Sequence, residues 1–552
     1  LALTSARRHL DRAQTSLDAP TAPADLVPGL AQQVAAVRTA VHQALKVTEA
    51  ADGIVSIDYD DLRYDGQIDL AKVTELQPSA ETVSTALERA SSALAETRSG
   101  WIAPPLRSRL DDLAQRVDDA RDDASLANQL LQVTPGLLGG DETRTYLVVF
   151  ITPAELRGAG GFIGSYAELE AKDGDVELTR SGRINDLIEA TPPGIRTITG
   201  QPEYVRRWGR FHPQDFLQDT TYALDWPSDA KVISQLYAQS GGRPVDGVIA
   251  VDPKGLAALL KLTGPVEVTG IDQPLTSDNA VQFLTKDQYL QYGSRAERGE
   301  VLEAAARATF DKLTDASLPA PRRIGEALSP AVRGRHLQIW SPDRSEGELF
   351  RRIGAEGRVH VTPGQDGLAV VQQNTGNNKI DAYQQRDVVY DTTLDAATGG
   401  LDATVRITLH NDVPSTDLPP AVAGNSRDLP VGTNLTLLNV MTPHAVTSAT
   451  LDGAPITLTE DKESGLRTWE TPFIAVPPGG SVTLVVHLEG ALNLRDGYHF
   501  TYLPQPVANP DVFKAAITAR NGRFVTDGRD RRRITAREVA EEPVVISSKM
   551  TR

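Results

Sequence analysis

The chain has 552 residues, 40% of them hydrophobic and 23% charged, with no cysteine and a formal net charge of −17. Single hydrophobic cores stop growing at roughly 250–300 residues, so about three domains are expected. The lack of cysteine excludes disulfides, thiolate metal sites and thiol nucleophiles, and the acidic balance excludes generic nucleic-acid binding, which needs a basic face to displace counterions.

From the N-terminus, Leu30, Val34, Val37, Val41 and Ala44 repeat in steps of four and three, the seam of a helix packed on another helix. Leu87, Ala90 and Leu94 suggest a second helix. Leu106, Leu110, Leu113, Val117, Ala120, Ala124 and Ala127 predict a third, with Asp111, Asp112, Asp118, Asp119, Asp122 and Asp123 on its solvated side. Residues 1–135 therefore read as an antiparallel helical bundle or stalk. Pro135, Gly136, Gly139 and Gly140 mark the join to the next domain.

Tyr146–Ile151 is a continuous apolar run, expected as a central buried strand. Strands are predicted at 165–170, 176–179, 245–251 and 266–268, and helices at 255–262 and 300–313. Residues 136–365 thus read as a mixed α/β domain. From Gly367 onward, short alternating runs at 404–409, 435–440, 446–451 and 482–488 sit between turn residues, the pattern of a β-sandwich over 366–552. The expected class is α+β multidomain.

Chemistry concentrates in Glu155-Leu-Arg157-Gly158-Ala-Gly160-Gly161-Phe162-Ile-Gly164-Ser165. Glycines after a buried strand let backbone amides turn toward an anion, with Gly160 and Gly161 as substrate-binding candidates and Arg157 as a fork of donors. The alternative is a tight structural turn pinned by an Arg157 salt bridge. Spacing rules out a dinucleotide fingerprint. Asp219, Asp225 and Asp229 are candidate ligands for a divalent ion, or else solvated and capping carboxylates. Trp226 stacks a sugar or polyprenyl group or sits in the core. The nine histidines show no metal-ligand spacing, and neither a Gly-x-Ser-x-Gly elbow nor a phosphate-loop Gly-x-x-x-x-Gly-Lys occurs. Basic residues from Arg529 to Arg537 form a solvated edge or a contact for anionic lipid or wall polymer.

Arg144-Thr-Tyr-Leu, Glu155-Leu-Arg157 and Gly160-Gly-Phe-Ile-Gly164-Ser165 resemble the bacterial family catalogued as domain of unknown function 4012. The likeness continues through Asp225-Trp226, Pro227-Ser-Asp-Ala230, Val245-Asp-Gly-Val248, Leu262-Thr-Gly-Pro-Val-Glu-Val268 and Gly376-Asn-Asn-Lys379-Ile-Asp381. The order is also similar to the LytR-CpsA-Psr transferases, so the middle domain is expected to be LytR-CpsA-Psr-like. What that resemblance implies is transfer of a glycopolymer from a polyprenyl diphosphate carrier to an envelope acceptor. Catalytic positions would be Glu155 and Arg157 at the first motif and Arg183 and Asp186 at the second, with Arg295 and Arg298 binding substrate at a helix start. Mg²⁺ would sit on the diphosphate near Asp219 and Asp225.

The implied partners are a lipid-linked glycan or polyprenyl phosphate, a cell-envelope polymer acceptor and an envelope protein, with no nucleic acid. The resemblance also implies an extracytoplasmic location at the cell membrane; no run approaches the roughly 18 apolar residues that cross a bilayer and the first residue is Leu1, so the membrane anchor is expected to be one not present in this chain. The Arg-x-Asp-Thr motif of the transferases is replaced here by Glu155-Leu-Arg157-Gly158, which favours a second expectation, a non-catalytic scaffold that binds envelope glycan or lipid.

Overall fold

The computed structural model describes residues 2–18, 29–53, 62–64, 67–97, 101–315, 321–415, 417–425, 427–526 and 528–551. These form two compact units, one of Leu1–Arg144 with Ala171–Val176, the other of Thr145–Glu170 with Glu177–Arg552.

The first unit holds the helices Ala2–Asp18, Leu30–Ala51, Leu70–Glu96 and Pro104–Leu137, each packed on the next. The pairings run antiparallel: Arg7 meets Asp52 while Arg38 reaches Leu17, and Gln77 bonds Leu131 while Ser91 bonds Asp118. Asp69 caps the third helix by accepting from Lys72 N, and Pro104 opens the fourth, where its missing N–H has no partner to lose. The buried line of the second helix passes through Ala36, Ala40 and Leu45 rather than the predicted Leu30 seam, and Leu30 is exposed. In the fourth helix Leu110 is buried as expected, then Ala114 takes over while Ala120 and Ala127 are exposed. A straight helix drifts about 20° per heptad from a 3.5-residue repeat, so a long four-three pattern cannot hold one face without supercoiling.

In the second unit a five-stranded sheet has the order Asp175–Arg183, Phe162–Lys172, Arg144–Thr152, Gly247–Val251, Leu337–Trp340. The two central strands run parallel, pairing Leu147 with Val248 and Phe150 with Val251, and the Leu337–Trp340 strand runs antiparallel to its neighbour. Alternation sends Leu147, Val149 and Ile151 into a core shared with Trp208, Trp226, Ile233, Leu236 and Tyr237. The predicted strand at 266–268 is only an isolated bridge between Val266 and Leu275. Gly264, with φ +77°, ends the Pro253–Thr263 helix just before it.

Two further sheets, of seven and nine strands, make a β-sandwich. Leu368, Val370, Leu438 and Val440 of the larger sheet share one core with Val388, Tyr390, Val405, Ile407 and Val486 of the smaller. Strands Asp366–Asn374 and Asn434–Thr442 are buried along their whole length, because their other face packs Ala369, Val371 and Met441 against Leu224 and Val359. The sandwich and the α/β layers thus belong to one compact unit.

Candidate functional site

A cavity of about 440 Å³ opens where the two parallel strands end. Phe150, Ile151 and Thr152 close one strand, and Val251, Asp252 and Pro253 leave the other. This is where open α/β sheets receive ligands, because the chain departs to opposite sides and leaves a crevice. Asp252 caps the Pro253–Thr263 helix through Lys254 N and Gly255 N, and its second oxygen lies 2.5 Å from His336 Nδ1.

The remaining walls come from far along the chain. Leu302, Ala305 and Ala306 of the Arg295–Asp315 helix add an apolar wall, as do Leu284 within the π-helical turn Phe283–Asp287 and Tyr289 just after it. A π turn widens the helix by one residue and is frequent at functional sites. Arg183, Arg298 and Lys379 supply cations, and Glu155 lines the same space. The cavity is therefore amphipathic, with an apolar arm and a charged rim on which Arg183, Arg298 and Lys379 stand beside Glu155 and Asp252.

Arg183 bonds Asp186, Nη2 to Oδ1 at 2.5 Å, and its side chain lies across Gly299, where an added Cβ would stand 2.7 Å from Arg183 Cδ. Arg298 donates through Nη1 to the Tyr292 carbonyl at 2.7 Å and sits 5.6 Å from the Tyr289 ring centre. The two predicted arginine loci thus meet at one cavity. The Arg295 side chain lies outside the described residues.

Other predicted residues lie beneath the cavity rather than on its wall. Arg157 is 6% exposed and all five of its N–H groups are engaged: Nε and Nη2 on Asp219, Nη2 on Glu155, and Nη1 on the Leu156 and Asn374 carbonyls. Burial opposes its charge, but Asp219 and Glu155 prevail and lift its pKa further. Gly160 and Gly161 also miss the cavity wall. Loop amides donate inward to protein acceptors, Leu156 N to Asp381, Ala159 N to Thr221 O, Gly160 N to Arg157 O and Phe162 N to Glu155 O. The glycines answer to sterics instead: a Cβ on Gly158 would meet Tyr222 O at 2.1 Å and one on Gly161 would meet Thr152 O at 2.0 Å.

Trp226 is fully buried in the α/β core. Asp219 is committed to Arg157, and Asp225 accepts from Val359 N and Ser228 Oγ. Among the described residues no group of three or more His, Asp or Glu side chains is placed to hold a metal ion. The carboxylates expected around Mg²⁺ do not fit that role.

Lys379 is a cavity side chain that the sequence pattern does not single out, although it stands inside the Gly376–Asp381 signature. It bonds Glu155 and sits 5.1 Å from the Phe162 ring centre. Burial raises the Glu155 carboxyl, yet Lys379 and then Arg157 outweigh it and hold the group below its ordinary range.

Residues 141–289 match the model of the family described as "Protein of unknown function (DUF4012)", so this segment, which holds the glycine loop and much of the α/β sheet, belongs to that family. No curated protein sequence matches the chain. Among solved structures, a nutrient-binding protein of Legionella pneumophila, titled putative, aligns with TM-score 0.23 and 5% identity over 34% of this chain and 70% of its own. An M1 zinc metallopeptidase of Deinococcus radiodurans gives 0.17 and 14% over 30% of this chain and 40% of the enzyme. A protein of Bacillus subtilis titled the transcriptional regulator yvhJ gives 0.18 and 13% over 39% and 77%. Likenesses this distant carry no weight for fold or activity.

Proposed function

We propose that the chain is an extracytoplasmic cell-envelope protein that binds an amphipathic phosphate-bearing lipid of the polyprenyl type, acting as a glycan- or lipid-binding scaffold. The observation that carries this reading is the cavity itself, in which an apolar arm of Leu256, Leu284, Leu302 and Ala306 adjoins Arg183, Arg298 and Lys379. Apolar surface favours a hydrocarbon chain, and arginine forks favour phosphate oxygens. A cavity of about 440 Å³ holds a drug-sized ligand, so a head group and a few isoprene units enter while a longer chain stays outside. Among the described residues no helix is long and apolar enough to cross a membrane, so membrane attachment is assigned to a segment other than these helices.

Transfer of a glycopolymer from a polyprenyl diphosphate to an envelope acceptor is the second reading. Glu155 is its candidate base, since it lines the cavity, although the pairing with Lys379 and Arg157 lowers its pKa and makes it a weaker base than an ordinary carboxylate. For that role it must release Lys379.

Calorimetric titration with farnesyl phosphate tests the binding reading. Ala306→Trp fills the apolar arm and Arg298→Gln removes a cation, and each is expected to weaken binding at least about tenfold, the loss of one charge-assisted hydrogen bond or an equivalent apolar contact. Saturable binding that survives Ala306→Trp unchanged would place the ligand elsewhere and end the proposal.

A further inference from the structure

The arginine run near the C-terminus takes no part in the cavity. From Arg520 to Arg537 the sequence holds seven arginines against two aspartates, in a chain of net charge −17. Arg529, Arg531, Arg532, Arg533 and Arg537 are all exposed. Several exposed arginines elsewhere are paired, as Arg322 is with Glu326, Arg344 with Glu348 and Arg467 with Glu460. Of these five, among the described residues, only Arg533 meets a carboxylate, Asp391 at 3.7 Å.

The run lies where the chain crosses between the free edges of the two sandwich sheets. Strand Arg529–Arg531 ends the order of the larger sheet and strand Arg533–Ala540 ends that of the smaller. Ile534 and Ala536 pack on the core, so alternation turns Arg533, Arg537 and Val539 outward. Arg537 stands directly opposite Lys514, and like charges so placed destabilise a sheet. Two strands further in, Asp387, Asp391 and Asp395 share that outer face, so the cationic area is the edge and not the sheet face. Charge on an edge strand deters strand pairing, but that purpose does not account for the aliphatic groups beside it. Val539 and Val545, on either side of the crossing 541–543, are 62% and 65% exposed, the most of any large aliphatic side chain among the described residues.

We infer that this edge is a docking surface for the anionic head groups of a phospholipid bilayer, on which it lies without spanning the membrane. Guanidinium forks match phosphate oxygens, and a bilayer interface takes up cations and aliphatic groups together. A soluble polyanion gains nothing from the valines, and a second copy of the edge would set arginine against arginine. Because the chain as a whole is acidic, an anionic surface repels it while attracting this edge, so the charge that binds also orients the molecule. The inference is independent of what the cavity holds.

Sedimentation of the full chain with phosphatidylcholine vesicles, with and without phosphatidylglycerol, tests it at low salt. Binding is expected to the anionic vesicles alone, and to be lost at about 1 M salt, where the Debye length is about 3 Å. One basic residue at an anionic surface is worth about fivefold in affinity, so Arg529→Ser/Arg531→Ser/Arg532→Ser should weaken binding about a hundredfold. Arg322→Ser/Arg344→Ser/Arg467→Ser changes the net charge equally at paired positions and should weaken it less than about fivefold. No binding to anionic vesicles, binding kept by the first variant, or equal loss in both overturns the inference. Capture of soluble polyphosphate without vesicle binding overturns it in favour of a polyanion chain. Should the first variant not fold, Arg533→Ser/Arg537→Ser is read in the same way, with a loss of about twentyfold expected.

Discussion

Replacing Arg157 with Met tests whether this arginine pins the glycine loop or meets a ligand. The guanidinium is buried and makes five hydrogen bonds, to Asp219, Glu155 and two carbonyls. Met fills most of the volume but leaves Asp219 without its cation, while Glu155 keeps Lys379. Breaking a buried ion pair by removing one partner costs about 3–5 kcal/mol. The Leu156 and Asn374 carbonyls lose their donors as well, which places the expected loss at the upper end of that range. Arg157→Lys should recover part of it, since an ammonium offers charge but not a planar fork. Arg157→Met/Asp219→Asn should be less damaged than the sum of the single changes, because the orphaned charge is gone. Urea unfolding monitored by tryptophan fluorescence measures all three. A loss under about 1 kcal/mol for Arg157→Met, below the range for a broken buried pair, together with weakened farnesyl phosphate binding, would refute the pinning role and return Arg157 to the ligand.

Asp229 has one oxygen bonded by Ala223 N and one without a partner, and burial, opposed by that N–H and aided by Glu463 and Asp225, raises its carboxyl well above the ordinary value. The fold therefore favours its protonated form: its contribution is full below the unfolded value of about 3.9 and is lost as pH rises through the raised folded value. Asp229→Asn should raise the urea midpoint at pH 8 more than at pH 5, and a lowered midpoint at both would contradict this. Glu155 has the opposite sign. Its lowered folded pKa makes its contribution full above about 4.3 and lost as pH falls through the folded value, so Glu155→Gln should flatten the acid limb of a stability profile between pH 5 and 3, and an unchanged slope would argue against the pairing. Gly161→Ala, with φ +149° and a Cβ 2.0 Å from Thr152 O, should cost at least about 3 kcal/mol in strain and displaced backbone. Gly164→Ala meets nothing nearer than Phe150 O at 3.9 Å and should stay within about 1 kcal/mol in the same assay.

What could be read from the chain followed the range of the forces involved. The run from Tyr146 to Ile151, the Pro253–Thr263 helix and the alternating strands around Thr404 and Val482 depend on local pattern, and all appear close to their expected places. The glycine loop was visible too, but the reason for its glycines was not. Close approach to Tyr222 O and Thr152 O is a tertiary demand that spacing does not encode. Lys379 lies 224 residues from its partner Glu155, so only the bringing together of the sandwich and the α/β layers shows why it faces the cavity. The π turn at Phe283–Asp287 was equally hidden, because a one-residue widening leaves no mark on hydrophobic periodicity.

The cavity cannot be credited to the 141–289 segment alone. Its cation Lys379 and its residue Asn377 come from the loop after the first sandwich strand. The glycine loop beneath it is held from the same side, by Asp381 on Leu156 N, by Asn374 O on Arg157 Nη1 and by Gln505 Nε2 on Arg157 O. Gln373 adds a bond to Tyr222 O, whose backbone abuts Gly158. Buried polar contacts of this kind are costly when half satisfied, so the loop takes its shape only when the sandwich is docked. The sandwich is then a component of the cavity, and the Glu155 carboxylate on its wall is stabilised by a cation that the sandwich provides. Any chemistry assigned to Glu155 has to include the displacement of Lys379, which makes ligand-driven rearrangement of that loop the step on which the transferase reading depends.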